Sequence, residues 1–235
     1  MPNVFLLDSF NGEYASLNEE ECAHLRSVRI KENEVINVTD GKGKLFECTV
    51  IKINKKTVDL KVIKVQNLHY SFLPEINLFI GASKWDRMQM LIEKAVEHRV
   101  TSITVFNGER STFKYDDQKK FLKLIAESSK QSFLCNFPNF YFTSIKDIPS
   151  KNTLVFDFQG TGSLKEELKK NLNSINIVFG PDIGFSQNEK KFFSEHSFYV
   201  VNLGNTVFRF ETAAIYVLSS INYEYERLLK NYPHE

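Results

Sequence analysis

Between residues 34 and 66 apolar and polar positions alternate in three runs, 34–39, 44–53 and 57–65, broken by Asp40-Gly-Lys-Gly43 and Asn54-Lys-Lys56. A period of two puts every second side chain on one face, the pattern of a half-buried strand. Asp40-Gly41 supplies the positive φ that a tight reversal needs. A small β-sheet or β-barrel domain is expected. After residues 67–74 the rhythm changes. Apolar runs at 75–82, 102–106, 154–157, 175–179 and 198–202 read as strands, with helical spacing between and after them at 84–99, about 116–132, 164–173, 187–195 and 209–225. In the first helix Met88, Leu91, Ile92, Ala95 and Val96 recur three and four apart. Strands separated by single helices predict an α/β domain with a parallel sheet, whose ligands sit outside the carboxyl ends of the strands. The chain thus divides into 1–70 and 74–235.

Two such strand ends carry glycine. Ile177-Val-Phe-Gly180-Pro-Asp-Ile-Gly184-Phe-Ser186 ends one strand, and Val201-Asn-Leu203-Gly204 ends the next and runs into Phe208-Arg209-Phe-Glu211-Thr-Ala-Ala214. Glycine lets main-chain groups approach a ligand that a side chain would block. Read alone, 180–184 also fits a plain turn, and neither GxGxxG nor GxxxxGK[ST] is present.

Composition narrows the classes. The 235 residues are 42% hydrophobic and 25% charged with net charge +1, so a substantial core is affordable while the field of a general nucleic-acid binder is missing. Any RNA contact is local. Cys22, Cys48 and Cys135 have no metal-ligand spacing and are too few for a disulfide framework, which fits a reducing cytoplasm. No basic segment precedes the short apolar run at the start, and no stretch is long enough to span a bilayer, which argues against secretion and membrane insertion.

Taken in order, the motifs resemble the RsmE-type 16S ribosomal RNA uridine-N3 methyltransferases of the SPOUT superfamily. His24-Leu-Arg-Ser-Val-Arg29 is similar to the family's amino-terminal motif, Lys84-Trp-Asp-Arg87 with Glu93-Lys-Ala-Val-Glu97 to its first helix, and Glu109-Arg110-Ser111 to the loop that follows. Ser129-Lys-Gln-Ser132 with Pro138 resembles the second helix and its exit, and the two glycine segments resemble the family's carboxyl-terminal loops. The resemblance implies a PUA-like β-barrel followed by a trefoil-knotted α/β methyltransferase domain, a homodimer, and S-adenosyl-L-methionine as cofactor; no metal is expected, since no ligands cluster in the sequence. It further implies methylation of a uridine N3 in 16S ribosomal RNA of the small ribosomal subunit. By position, Val178, Gly180, Leu203, Gly204 and Val207 are expected to bind the cofactor, mostly through main chain.

Arg209 is the candidate catalytic residue, since a guanidinium offers fixed donors to a developing uracil oxyanion or to a phosphate. Alternatively it is a helix-initial arginine paired with Glu211 or a nearby carboxylate. Arg29, Arg110 and Arg87 are candidates for RNA contact, against the alternative of solvated or ion-paired surface arginines. Lys52, Lys55, Lys56, Lys61 and Lys64 share one hairpin with Asp59, either tracking a phosphate backbone or guarding an edge strand. His24 reads as a packed or capping residue.

Five positions depart from the family pattern. Asp182-Ile183 replaces Glu-Gly in Gly-Pro-Glu-Gly-Gly; an isoleucine there would be strained at positive φ, or would narrow the pocket if it faced the ligand. Leu134 stands where relatives carry arginine, Arg99 where they carry a helix-ending glycine, and Phe208 where they carry leucine. The alternatives to an active enzyme of this type are a non-catalytic RNA-binding or ribosome-assembly protein of the same fold, and a related methyltransferase with a different RNA target; the 24–29 motif speaks against the latter.

Overall fold

The computed structural model describes residues 4–68 and 72–229. The chain forms two compact units, residues 1–70 with 126–137, and residues 71–125 with 138–235. The termini and residues 69–71, within the break expected at 67–74, lie outside the described residues.

The first unit contains β1 (Val4–Leu6), β2 (Ser9–Phe10), β3 (Tyr14–Leu17), α1 (Glu19–Ser27), β4 (Val35–Thr39), β5 (Lys44–Ile53) and β6 (Val58–Asn67). The strands form one sheet in the order β1-β4-β5-β6-β3-β2. Its two edges are joined covalently: Leu7 N–H donates to Thr39 on one side and Asp8 N–H to Ser16 on the other. Adjacent residues reach only about 3.3–3.6 Å each, so the sheet must curl until its edges meet. Alternation on β5 and β6 turns Phe46, Cys48, Val50, Val58 and Leu60 inward against Phe5, Leu17 and Leu25. Burial, with Glu47 adding to it, pushes the Cys48 thiol up to about 12, so it packs as a small hydrophobe. Strands β1 to β3 are too short to show in the periodicity. The hairpin lysines are not on a free edge, because β6 pairs with β5 and, through residues 58–61, with β3. Lys56 pairs with Glu19, while Lys52 and Lys64 face Asp59 and Glu47 across the β5–β6 ladder.

Residues 126–137 belong to this unit although they follow the first strand and helix of the α/β region. Cys135 C=O accepts from Gly43 N–H, Phe137 N–H donates to Gly41 C=O, and Lys130 pairs with buried Glu21. Leu134 is buried, which keeps it from contacting RNA.

The second unit runs β7 (Glu75–Gly81), α2 (Trp85–Glu97), β8 (Ser102–Phe106), α3 (Lys119–Gln131), β9 (Asn139–Thr143), β10 (Thr153–Phe156), α4 (Leu164–Leu168), β11 (Ser174–Phe179), α5 (Gln187–Glu195), β12 (Tyr199–Val201) and α6 (Phe210–Glu224), with the end of α3 assigned to the first unit. The strands form one fully parallel sheet in the order β12-β10-β11-β7-β8-β9. β8 and β10 are buried at every position, as expected of parallel strands covered on both faces. The five apolar positions of α2 all face the core. α4 stops at Leu168 rather than 173, because Asn171 and Asn173 favour turns over helix interior. Arg99, at the helix-ending position, takes φ 60° like the glycine it replaces. Among the described residues no helix is long and apolar enough to cross a membrane, and no three His, Cys, Asp or Glu side chains converge on a metal-sized site.

Helices α2 and α6 are locked by a buried polar chain. Asn222 Nδ2 donates to His98 Nδ1 at 2.8 Å, and fully buried Arg227 bonds Asn222 and the carbonyls of His98, Arg99 and Phe72. Burial, with Arg227 and Lys94 adding to it and Glu97 opposing, holds the His98 pKa below its usual 6.5. A proton on Nδ1 would face the Asn222 donor. The folded state therefore excludes a proton that the unfolded chain accepts below about pH 6.5, so stability present above that pH is lost as pH falls toward the folded pKa. The thermal midpoint should drop between about pH 7.5 and about pH 5.5, and the drop should shrink in His98→Gln; an equal drop in both proteins would contradict this.

Candidate active site

Three strand ends converge on one cleft. β10, β11 and β12 all run toward it, and their following segments, with the first turn of α6, form its walls. Phe156 and Phe179 stack at 4.7 Å in its wall, Phe185 closes one side, and Phe158 sits 59% exposed among the lining residues. Among the described residues the lining includes Asp157 and Asp182 but no lysine or arginine.

Backbone contact dictates where the glycines fall. A Cβ on Gly81, at the end of β7, would lie 2.3 Å from Pro181 N, and one on Gly180 would press the Phe185 ring at 3.2 Å. Gly204 takes φ 111°, which side chains disfavour. Residues 157–162 are strapped across β12: Asp157 and Gly162 N–H donate to Val201 and Val200, and a Cβ on Gly160 would meet the Val201 carbonyl carbon at 2.6 Å.

The carboxylates at the cleft serve to fix loops. Asp157 pairs with Lys190 at 2.9 Å. Arg87 donates to Asp182 Oδ2 at 3.2 Å, while Asp182 N–H donates to Ser83 Oγ, which itself donates to Gly81 C=O. Tyr115 OH donates to Ser83 C=O, and burial, with Asp86 adding to it, raises its pKa above the usual 10. Asp182 Oδ1 is buried and lacks a partner among the described residues. Asn202 spans the third loop, donating to Phe158 C=O and accepting from Gly204 N–H at 2.9 Å.

Gly180, Leu203 and Gly204 line the cleft. The Val178 side chain points into the core with Phe106 and Phe193, and Val207 is 78% exposed and outside the lining, so either would meet a ligand only through main chain or after movement. Arg209 is the exposed N-cap of α6 without a side-chain capping bond, and no ion pair joins it to Glu211. Arg87 is held by Asp182, and Arg110 is exposed with Nη1 reaching Phe185 C=O at 3.4 Å. These two arginines therefore flank one loop, 181–186. Arg29, exposed at φ 64° after α1, belongs to the other unit. His24 packs against Phe5 at 5.1 Å. Phe208 lines the cleft and stacks on Tyr216. Ile183 has no positive φ, is 43% exposed and is absent from the lining, so the departure from the family loop neither strains the backbone nor fills the cleft. Sequence reading missed Asp157, Ser83 and Glu189, whose partners lie 33 to 99 residues away.

The walls suit a ligand with an aromatic base but no phosphate. Apolar rings can cover a base, and among the described residues the lining offers no lysine or arginine to a phosphate, while its two carboxylates are paired with Lys190 and Arg87. S-adenosylmethionine, an adenosine bearing a sulfonium, meets that description; Gly180, Leu203 and Gly204 would hold it.

The profile of the RNA methyltransferase domain family matches residues 71–222, and that of the RNA methyltransferase PUA domain matches residues 17–63. The chain is 28% identical over 221 residues to ribosomal RNA small subunit methyltransferase E 2 of Borreliella burgdorferi, covering 89% of each. It is 27% identical to ribosomal RNA small subunit methyltransferase E of Bacillus subtilis, covering 91% of each. Among solved structures, a predicted RNA methyltransferase of Thermotoga maritima is 30% identical with a TM-score of 0.80, over 97% of this chain and 100% of that one. Ribosomal RNA small subunit methyltransferase E of Neisseria gonorrhoeae, bound to S-adenosyl methionine, shares the fold at 22% identity and a TM-score of 0.84, over 95% and 98%.

Two substitutions in this loop system should separate. Gly81→Ala drives a Cβ into Pro181 and is expected to cost about 1–3 kcal/mol, whereas Ile183→Gly, at an exposed site, should cost under about 1 kcal/mol. Urea unfolding of both variants checks the order, and the reverse order would contradict the loop packing.

Proposed function

The chain belongs to the RNA methyltransferase family, and from that premise we propose that it transfers a methyl group from S-adenosylmethionine to the N3 of one uridine in 16S ribosomal RNA of the small ribosomal subunit. The observation that carries this reading is the cleft at the carboxyl ends of β10, β11 and β12, inside the family-matched region, with aromatic walls and no cation for a phosphate. The names of the relatives, ribosomal RNA small subunit methyltransferase E, support the substrate. The bound S-adenosyl methionine of the Neisseria gonorrhoeae structure supports the cofactor. A homodimer, a trefoil knot in the second unit and a cytoplasmic location complete the proposal, with residues 1–70 as the RNA-binding domain and 74–235 as the catalytic one.

When bound, the cofactor supplies a methyl group on a sulfonium, already activated for displacement. The chain then has to align the uracil with that methyl and help N3 lose its proton. Asp157 and Asp182 are both held in ion pairs, so neither is placed as a free base. Among the described residues no carboxylate pairs with Arg209, which can approach the uracil oxygens, where its donors stabilise the negative charge that builds as the proton leaves. Arg110, in the segment after β8, and Arg87, in α2, which flank the 181–186 loop, and Arg29 on the first unit, hold RNA phosphate or base edges. A large ribosomal particle as substrate accounts for a net charge of only +1, since affinity can come from shape and a few local contacts. The exposed position of Ile183 removes the reason to favour a non-catalytic relative.

Nucleoside mass spectrometry of 16S RNA should show one N3-methyluridine fewer in a deletion strain, restored in vitro by the purified protein, S-adenosylmethionine and small subunits. An unchanged profile would sink the reading. Arg209→Ala should lower kcat roughly 10²–10³-fold with cofactor affinity kept; unchanged turnover would remove Arg209 from the chemistry.

A further inference from the structure

Glu189 lies at the third position of α5, 3% exposed, and both of its carboxylate oxygens are occupied by backbone donors from different loops. Oε2 accepts from Ser186 N–H at 2.7 Å, completing a capping box in which Ser186 Oγ accepts from Glu189 N–H. That half is an ordinary helix start. The other half is not local: Oε1 accepts from Glu109 N–H at 2.8 Å, across 80 residues of sequence. Glu109 then returns to the same helix end, its side chain accepting from Ser186 Oγ and from Asn188 Nδ2. Gly108 lets the two segments close, since a Cβ there would stand 3.1 Å from Glu189 Oε1 and 3.4 Å from Pro181.

The two segments so joined have different tasks in the reading above. Residues 180–186 form one wall of the cleft, and residues 107–111 carry Arg110, whose guanidinium reaches Phe185 C=O on the same wall. The peptide gripped by Glu189 is immediately before Arg110. We propose that Glu189 is a positioning residue that sets Arg110 relative to the methyl donor, so that the cofactor loop and the RNA-contacting arginine move as one piece. This rests on the proposed methyl transfer to small-subunit RNA. A carboxylate accepting two N–H donors with little exposure forms charge-assisted bonds stronger than neutral ones, which suits a fixed joint.

Glutamine satisfies a capping box as well as glutamate does, but its single oxygen can serve only one of the two N–H groups. Glu189→Gln therefore tests the joint with the helix start kept. Gly108→Ala perturbs it from the opposite side and leaves the Ser186–Glu189 box intact. With small subunits lacking the modification as substrate, each variant should raise the KM for RNA about tenfold, the loss of one charge-assisted bond. S-adenosylmethionine affinity by calorimetry should stay within about threefold. Combining either variant with Arg110→Ala should add little to Arg110→Ala alone, because the arginine that the joint places is already gone. Fully additive effects, an unchanged RNA KM in both variants, or equal losses of cofactor and RNA affinity would overturn the proposal and leave Glu189 a helix cap. The wild-type protein distinguishes the two levels: no methyl transfer to the subunits defeats the functional reading and this joint together, whereas wild-type transfer with an unaltered variant KM defeats the joint alone.

Discussion

β11 is hydrogen-bonded in parallel to β7 along residues 174–179 and to β10 along residues 176–179. A strand bound on both sides can leave the sheet only between its neighbours' ends. Its exit at Gly180-Pro181 is therefore forced against the end of β7, where Gly81 leaves no room for a Cβ, and beside the exits of β10 and β12. The cleft follows from this register. Parallel strands put all their carboxyl ends on one edge of the sheet, and the segments that leave there enclose the space between them.

The charges at the site are spent on holding that arrangement. Asp157 to Lys190, Asp182 to Arg87, and Glu189 to two loop peptides each tie one loop to another element. Such partly buried, hydrogen-bonded carboxylates contribute more to a defined geometry than to net stability. Methyl transfer from an activated donor asks mainly for alignment, and fixed loops supply it at little reorganisation cost. Among the described residues the lining carries no lysine or arginine, and a sulfonium cofactor carries no phosphate to be neutralised.

Much of this was legible in the chain because periodicity and glycine act locally. β5, β8 and α5 have the limits that the spacing of apolar positions over 44–53, 102–106 and 187–195 implies. Gly180 and Gly204 announced themselves as strand ends. What could not be read depends on distance or on size. Strands of two to four residues, such as β2 and β3, carry no period, and the placement of 126–137 with the first unit depends on Cys135 and Phe137 meeting Gly43 and Gly41 in space. The Arg87–Asp182 pair spans 95 residues. Ile183 shows the limit of motif comparison: the residue differs from the family pattern, but its side chain projects to solvent and the glycine at 184 carries the positive φ.

In the proposed function the edge formed by the ends of β10, β11 and β12 receives the methyl donor. Amide hydrogen exchange followed by mass spectrometry, with and without S-adenosylmethionine, tests it directly. Slowed exchange confined to residues 157–163, 180–186 and 202–208 is the predicted result. No protection at these three loops, or protection at the opposite edge around residues 98–101 and 172–174, would contradict it.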